Sequence, residues 1–391
     1  MKHTFAFFLN MLILSAAIFA QYKPIPQNEE EAPFYLGVTF CGNTTVEAKL
    51  LIDRIKTYSN LFILQSGPIS KNETVINEIC DYAVASGLNI IVYFGWFDTD
   101  HQWQIPWLDY AKQRWANHFL GVYYYDEPGG IQIDYNWPHF FNKIKQQNST
   151  LYQTLAPTIE SYLEGTLPRD YDAAADHFTS FLQNNPDLKE LKSRSITTFT
   201  SDYALYWFDY LGGYDVVFAE FGWNNSIVQE TALVRGAAQI QNKSWGAIIT
   251  WKYMDSPYLD TGDNIYDQMR TAYEAGAKYV VIFNYPQIDD NPYGIMRDEH
   301  FEALERLWKN ITSTQKITHG STKAENILVL PKNYGWGMRH PDDKIWYWGP
   351  DQETPQIWEY TRKLLLQYGL KLDIAYEDTE FPITNQYALT F

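Results

Sequence analysis

The stretch FLGVYYYDEP, Phe119–Pro128, reads as a strand that runs into chemistry. Phe119–Tyr125 is a short apolar run of β type, and it ends on two carboxylates and a proline. Helical spacing brackets it, over Trp107–Asn117 upstream and Trp137–Gln147 downstream. A strand between two helices is the signature of a βαβ unit and a parallel sheet.

The same rhythm extends both ways. Upstream, Tyr35–Phe40, Leu61–Gln65 and Asn89–Phe94 read as strands, with helices over Thr45–Tyr58 and Glu73–Ser86 between them. Downstream, Thr150–Ser193 is irregular and reads as an insertion with its own helix near Asp172–Gln183. The alternation then resumes with strands at Ile196–Thr200, Asp215–Phe221, Ala247–Trp251 and Tyr279–Asn284. Helices follow them at Tyr203–Leu211, Ile227–Gln241, Asn264–Ala275 and Asp298–Ile311. Eight strand–helix units over residues 34–312 predict an α/β fold of the (β/α)8 TIM-barrel type. A doubly wound open sheet would also alternate, but no Gly-rich phosphate turn follows any of these strands.

Beyond a polar, patternless stretch at Ile311–Lys323, residues 324–391 read as a small α/β domain, complete or incomplete. Its pieces are strands at Ile327–Leu330 and Leu372–Tyr376, a helix at Trp358–Tyr368, and a strand-like end at Tyr387–Phe391. At the other end, Lys2 and His3 precede an apolar run from Phe5 to Ala20 closed by small residues. That layout predicts a secretory signal over residues 1–20, or a retained anchor, and a flexible leader over 21–33. No later run is long and apolar enough to span a membrane. Six Asn-x-Ser/Thr sequons, at Asn43, Asn72, Asn148, Asn224, Asn242 and Asn310, fit a glycoprotein in that compartment. Pairing of Cys41 with Cys80 stays open.

Composition narrows the function. The 391 residues carry 47 acidic and 30 basic side chains, a net charge of −17. That balance argues against nucleic acid as a partner, which needs a basic face, and against docking on anionic lipid. The eight His are scattered without metal spacing, so neither a metal nor a cofactor is expected, and no Gly-x-Ser-x-Gly elbow is present. Nothing indicates an oligomeric state. The unusual quantity is aromatic: 14 Trp, 30 Tyr and 22 Phe make 17% of the chain.

In a barrel of this type the active site lies at the C-terminal ends of the strands. Those ends bring together Trp96, Tyr124, Tyr125, Asp126, Glu127, Asp202, Glu220, Trp223, Trp251, Tyr253, Asn284 and Tyr285, with Asp98 and Asp255 nearer the loops. Flat apolar faces beside a few acids suit sugar rings, which present C–H faces and hydroxyl edges. Cleaving a glycosidic bond then takes two carboxyl groups, one to protonate the leaving oxygen and one to attack or to activate water. Glu127 and Glu220 are the pair, and partial burial raises a carboxyl pKa for acid work. The remaining named residues are the expected substrate contacts. A strand-end carboxylate can equally cap the next helix, and at least half of the aromatics belong to packing.

Asp126-Glu127-Pro128 resembles the Asn-Glu-Pro that ends the fourth strand in the clan of retaining barrel glycoside hydrolases. Glu220-Phe221-Gly222-Trp223 resembles the Glu-x-Gly-Trp nucleophile motif of some β-glucanase and galactanase members. The resemblance covers these two motifs and the barrel layout. It implies Glu127 as acid/base and Glu220 as nucleophile. The chain departs from that clan in having Asp at 126 and in placing Glu220 on the sixth strand, where the clan's nucleophile sits on the seventh. The expected function is therefore a secreted glycoside hydrolase acting on a neutral oligo- or polysaccharide. A catalytically inactive, carbohydrate-binding surface protein on the same scaffold is the alternative.

Overall fold

Eight parallel strands close on themselves. They are β1 (Tyr35–Phe40), β2 (Leu61–Leu64), β3 (Asn89–Phe94), β4 (Phe119–Tyr124), β5 (Thr198–Asp202), β6 (Val216–Phe221), β7 (Ser244–Ile249) and β8 (Tyr279–Ile282). Each pairs with its sequence neighbour, and β1 closes the ring by pairing with β8, Gly37 opposite Val281. The computed structural model describes residues 33–97, 99–136, 168–286, 291–313, 317–383 and 386–391, with a few isolated positions between 139 and 153. The expected signal, nearly all of the leader, Asp98, the Asn148 sequon and most of the expected helix at Trp137–Gln147 lie outside the described residues.

The helices around the barrel are α1 (Thr45–Ile55), α2 (Glu73–Ala85), α3 (Gln104–Trp115), α4 (Pro128–Asp134), α5 (Tyr171–Gln183), α6 (Pro186–Ser193), α7 (Tyr206–Gly212), α8 (Ile227–Ile240), α9 (Gly262–Glu274) and α10 (Asp298–Thr312). Their starts are written locally. Thr44 and Glu47 form a capping box on α1, and the Asn72 and Thr261 side chains accept from the first turns of α2 and α9. The fourth strand is followed at once by α4, which the expected helix at Trp137–Gln147 does not include. The insertion holds a second helix, α6, and Tyr35–Phe391 belong to one compact unit.

Part of the aromatic excess fills the barrel. Tyr123, Phe199, Phe218 and Tyr279 share one core with Ile63, Ile91, Ile248 and Val281. Phe199 stacks on Phe218 at 5.9 Å and meets Tyr279 edge-on at 5.3 Å. Side chains alternate across a strand, so residues two positions beyond this layer face the same axis, one level nearer the mouth. Tyr93, Ser201, Glu220 and Phe283 are those residues.

At the C-terminus, β9 (Asn326–Leu330), α11 (Thr354–Tyr368), β10 (Leu372–Tyr376) and β11 (Leu389–Thr390) build a separate parallel sheet in the order β10-β9-β11. It docks on α8 through a buried ion pair. Arg235 donates to Asp373 at 2.8 Å and also to the carbonyls of Thr322, Leu370 and Leu372. Those extra acceptors compensate the desolvated guanidinium, without which such a pair gains little. Among the described residues no helix is long and apolar enough to cross a membrane. Cys41 and Cys80 are free thiols, Cys80 buried in α2.

Candidate active site

Glu220 is next to last in β6, two residues after the core residue Phe218, and is only 6% exposed. Its Oε1 accepts from Ser201 Oγ at 2.6 Å. Ser201 stands on the neighbouring strand, two residues after Phe199. The Ser201 hydroxyl also lies 3.3 Å from Asp126 Oδ1, and Tyr123 Oη donates to that same carboxylate oxygen.

Glu127 reaches the same point by a different route. The chain leaves β4 with two non-glycine residues in the left-handed region, Tyr125 at φ 52° and Glu127 at φ 51°. Such conformations are strained and persist where surrounding structure imposes them, often at functional sites. Two contacts pin this turn. The Glu127 amide donates to the Ser201 carbonyl at 3.1 Å, and Thr200 Oγ1 donates to the Tyr125 carbonyl at 2.7 Å. The result is a direct hydrogen bond between the Glu127 and Glu220 carboxyls.

Electrostatics follow from that contact. Burial, then the charges of Glu127 and Asp126, push the Glu220 carboxyl well above the usual range. Burial and the Asp126 charge raise Glu127 as well, while its hydrogen bond to Glu220 pulls it down. Two carboxylates in contact do not both ionise readily, so the pair shares one proton. Asp126 is raised by burial against the opposing hydrogen bonds of Tyr123 and Ser201.

Aromatics stand on the strand-seven and strand-eight side of the mouth. Trp251 meets Tyr285 at 5.3 Å and Tyr258 edge-on at 5.3 Å, and the Trp223 amide donates to the Trp251 carbonyl. Trp96, Trp223, Tyr253 and Tyr285 are exposed. A cavity of about 540 Å³ is lined, among the described residues, by Tyr258, which meets Trp251, and by Ser256, Tyr293 and Arg297. The two carboxyls do not line it.

Three of the expected substrate contacts face the other way. Asp202 is fully buried, and its carboxylate accepts from the amides of Gly129, Gly130, Tyr203 and Ala204 at 2.5–3.1 Å. It caps the start of α4 and offers nothing to a ligand. Tyr124 points into the helical layer, donating to Asp187 Oδ2 at 2.9 Å beside the Asn185 cap of α6. Asn284 spends its side chain on the backbone of the following loop, donating to the Tyr293 carbonyl at 2.6 Å and accepting from the Met296 amide. Each follows an inward residue by one position, so strand alternation turns it outward. Tyr125 is half-buried, with its ring 6.5 Å from that of Tyr124.

Ser201, Tyr123 and Tyr93 were not among the expected site residues. Tyr93 stacks obliquely on Tyr123 at 5.7 Å, close enough to Asp126 to feel its charge. Alternation was the available signal. Ending the fifth strand at Thr200 hid it, because Ser201 and Asp202 then read as loop.

No protein-family model matches the chain, and no curated protein matches it. Solved structures do. GH5_18 from Streptomyces cattleya, in complex with GlcNAc, aligns over 88% of this chain and 93% of its own at 10% identity and a TM-score of 0.46. Truncated 3-deoxy-D-arabino-heptulosonate 7-phosphate synthase from Thermotoga maritima aligns over 72% and 87% at 9% identity and 0.38. A mutant of xylanase 10C from Cellvibrio japonicus, in complex with xylopentaose, aligns over 69% and 62% at 13% identity and 0.36. Barrels of unlike chemistry appear together at these low scores, so the functional reading rests on the site itself.

Proposed function

We propose that this protein is a glycoside hydrolase that cleaves a neutral oligo- or polysaccharide with Glu127 and Glu220. The observation that carries the reading is the contact between these two carboxyls at the mouth of the barrel, with exposed Trp223, Tyr253 and Tyr285 at the neighbouring strand ends. Retaining enzymes hold their carboxyls about 5–5.5 Å apart, and inverting enzymes leave about 6.5–9.5 Å for a water. A pair that hydrogen bonds at rest leaves no such space, which favours retention.

The chemistry then runs as follows. A glycosidic oxygen enters between the carboxyls and parts them. Glu127, the less buried of the two, takes the shared proton and delivers it to the leaving oxygen. Glu220, aimed by Ser201, is left ionised and attacks the anomeric carbon to form a glycosyl-enzyme ester. Water activated by Glu127 hydrolyses the ester and restores the proton. Export through the segment at residues 1–20 places the enzyme outside the cell.

The test is hydrolysis across a panel of neutral glycans by the wild type, Glu127→Gln and Glu220→Gln. Wild-type cleavage that falls at least about a thousandfold in both variants supports the assignment, since positioned acid–base groups contribute roughly 10²–10⁴ each. Full activity in either variant removes that residue from the mechanism. Glycan binding without turnover by the wild type supports the inactive binding protein instead.

A further inference from the structure

The helix that begins at Glu127 is held at both ends by residues the chemistry above does not use. Helix α4 has seven residues, too few to be stable by itself. At its start, Asp202 accepts from the Gly129 and Gly130 amides. The ring of Tyr203 lies so close that a Cβ on Gly130 would come within 2.2 Å of it, which is why that position is glycine.

At its far end stands Asp134, and here the C-terminal region reaches the barrel. Arg339 donates to Asp134 through Nη1 and Nη2, both at 2.8 Å. Through Nε and Nη2 it also donates to Asp343, again at 2.8 Å. Four charge-assisted hydrogen bonds therefore tie one guanidinium between two carboxylates. Arg339 also lies over the Tyr203 ring at 5.4 Å, and Tyr203 Oη donates to Asp134 Oδ2 at 3.0 Å. Asp343 is buried and accepts the Arg339 and Lys344 amides too. Gln229 of α8 holds the adjacent Met338 carbonyl at 2.7 Å. The fork is thus fixed before it meets Asp134, and its planar geometry is one that lysine does not reproduce.

We infer that Arg339 is a positioning residue for Glu127: the C-terminal region clamps the far end of α4 and so holds the Glu127 carboxyl against Glu220. The inference rests on the two-carboxylate reading for its catalytic consequence and on the clamp alone for its mechanical one. The C-terminal sheet then serves as part of the active-site framework.

The test compares Arg339→Gln, Asp134→Asn and Arg339→Lys with wild type in the full chain. Lys371→Ala, which breaks the exposed Lys371–Glu325 pair of the same region, is the control. Hydrogen exchange followed by mass spectrometry reads α4 without any substrate. Arg339→Gln and Asp134→Asn are expected to speed exchange across 128–134 at least tenfold while β4 and β6 stay at wild-type protection. Arg339→Lys restores part of the protection, and Lys371→Ala changes nothing. On a cleaved glycan, kcat falls ten- to a hundredfold with KM within twofold, and the limb of the pH profile set by Glu127 shifts. Asp134→Asn leaves the Arg339–Asp343 fork intact, so it decides the matter if Arg339→Gln does not fold. Wild-type exchange in α4 of Asp134→Asn overturns the clamp. Faster exchange with wild-type kcat and pH profile overturns the positioning role. Faster exchange in a chain that cleaves no glycan supports the clamp and removes the glycosidase reading.

Discussion

Glu220 and Asp202 end neighbouring strands, both are buried, and burial raises the pKa of both. They nevertheless belong to different regions. Asp202 faces the helical layer, where four backbone amides satisfy it and anchor α4. Glu220 faces the barrel axis, where the Ser201 hydroxyl and the Glu127 carboxyl meet it. Burial alone therefore does not mark a catalytic acid. Each also meets a second acid, Asp209 for Asp202 and Glu127 for Glu220, so what separates the framework from the site is direction: four backbone amides enclose Asp202 in the helical layer, whereas Glu220 faces the barrel axis.

Exchanging the side-chain charge in each region breaks or sharpens that contrast. The largest effect belongs to the axis: Glu220→Gln is expected to lose at least about a thousandfold in hydrolysis while its urea midpoint stays near wild type. Asp202→Asn should do the reverse. Its retained oxygen keeps the Gly130, Tyr203 and Ala204 amides, but its NH2 opposes the Gly129 amide, so it costs about 2 kcal/mol in urea unfolding. Its kcat stays within about tenfold of wild type, a bound set by the disturbance at α4.

Proton linkage gives an effect of similar size. Glu230, buried against Tyr206 Oη at 2.6 Å, is pushed up to about 8, and Asp202 to about 7. Between their unfolded values near 4 and these raised ones, the native state holds protons that the unfolded chain has released. Stability therefore falls as pH rises, by about 1.4 kcal/mol per pH unit for each such proton. His300, held down by burial, has the opposite slope, but only below its ordinary value near 6.5. The urea midpoint should drop from pH 6.5 to 8.5, and Glu230→Gln should make that drop shallower, with Glu220 and Asp209, also raised by burial, carrying the rest. A flat wild-type profile would show that these acids are ionised in the native state.

Smaller effects separate the two faces of the mouth. Tyr285→Ala, on the exposed platform, is expected to weaken glycan binding about five- to tenfold by calorimetry, the worth of one aromatic contact. Tyr124→Phe, turned into the helical layer, should leave binding unchanged and cost about 1 kcal/mol of stability for its lost hydrogen bonds.

The eight-fold alternation was legible because each strand is a short apolar run and some helices, α1 and α2 among them, begin on an ordinary capping residue. Glu127 and Glu220 were legible as strand-end acids. The direction of a side chain was harder, since a period of two turns a boundary error of one or two residues into a change of face. Ending the fifth strand at Thr200 placed Asp202 in the cleft and left Ser201 unread. Tyr124 and Asn284 were misassigned because strand-end residues were taken together as one cleft, although each stands one position beyond an inward residue. Trp346 and the rest of residues 331–353 were not read at all, because no period of 2 or 3.6 runs through them. Their order comes from long-range contacts such as Phe208–Trp346 at 4.6 Å and Arg339–Asp134, which no local pattern encodes.

The most direct test of the central claim is the stereochemistry of the first product, read by proton NMR within the first minutes of wild-type hydrolysis of a cleaved neutral glycan. Carboxyls that touch at rest predict that the newly formed reducing end keeps the anomeric configuration of the bond cleaved. An inverted first anomer would require a water between Glu127 and Glu220, and would contradict the shared-proton pair described above.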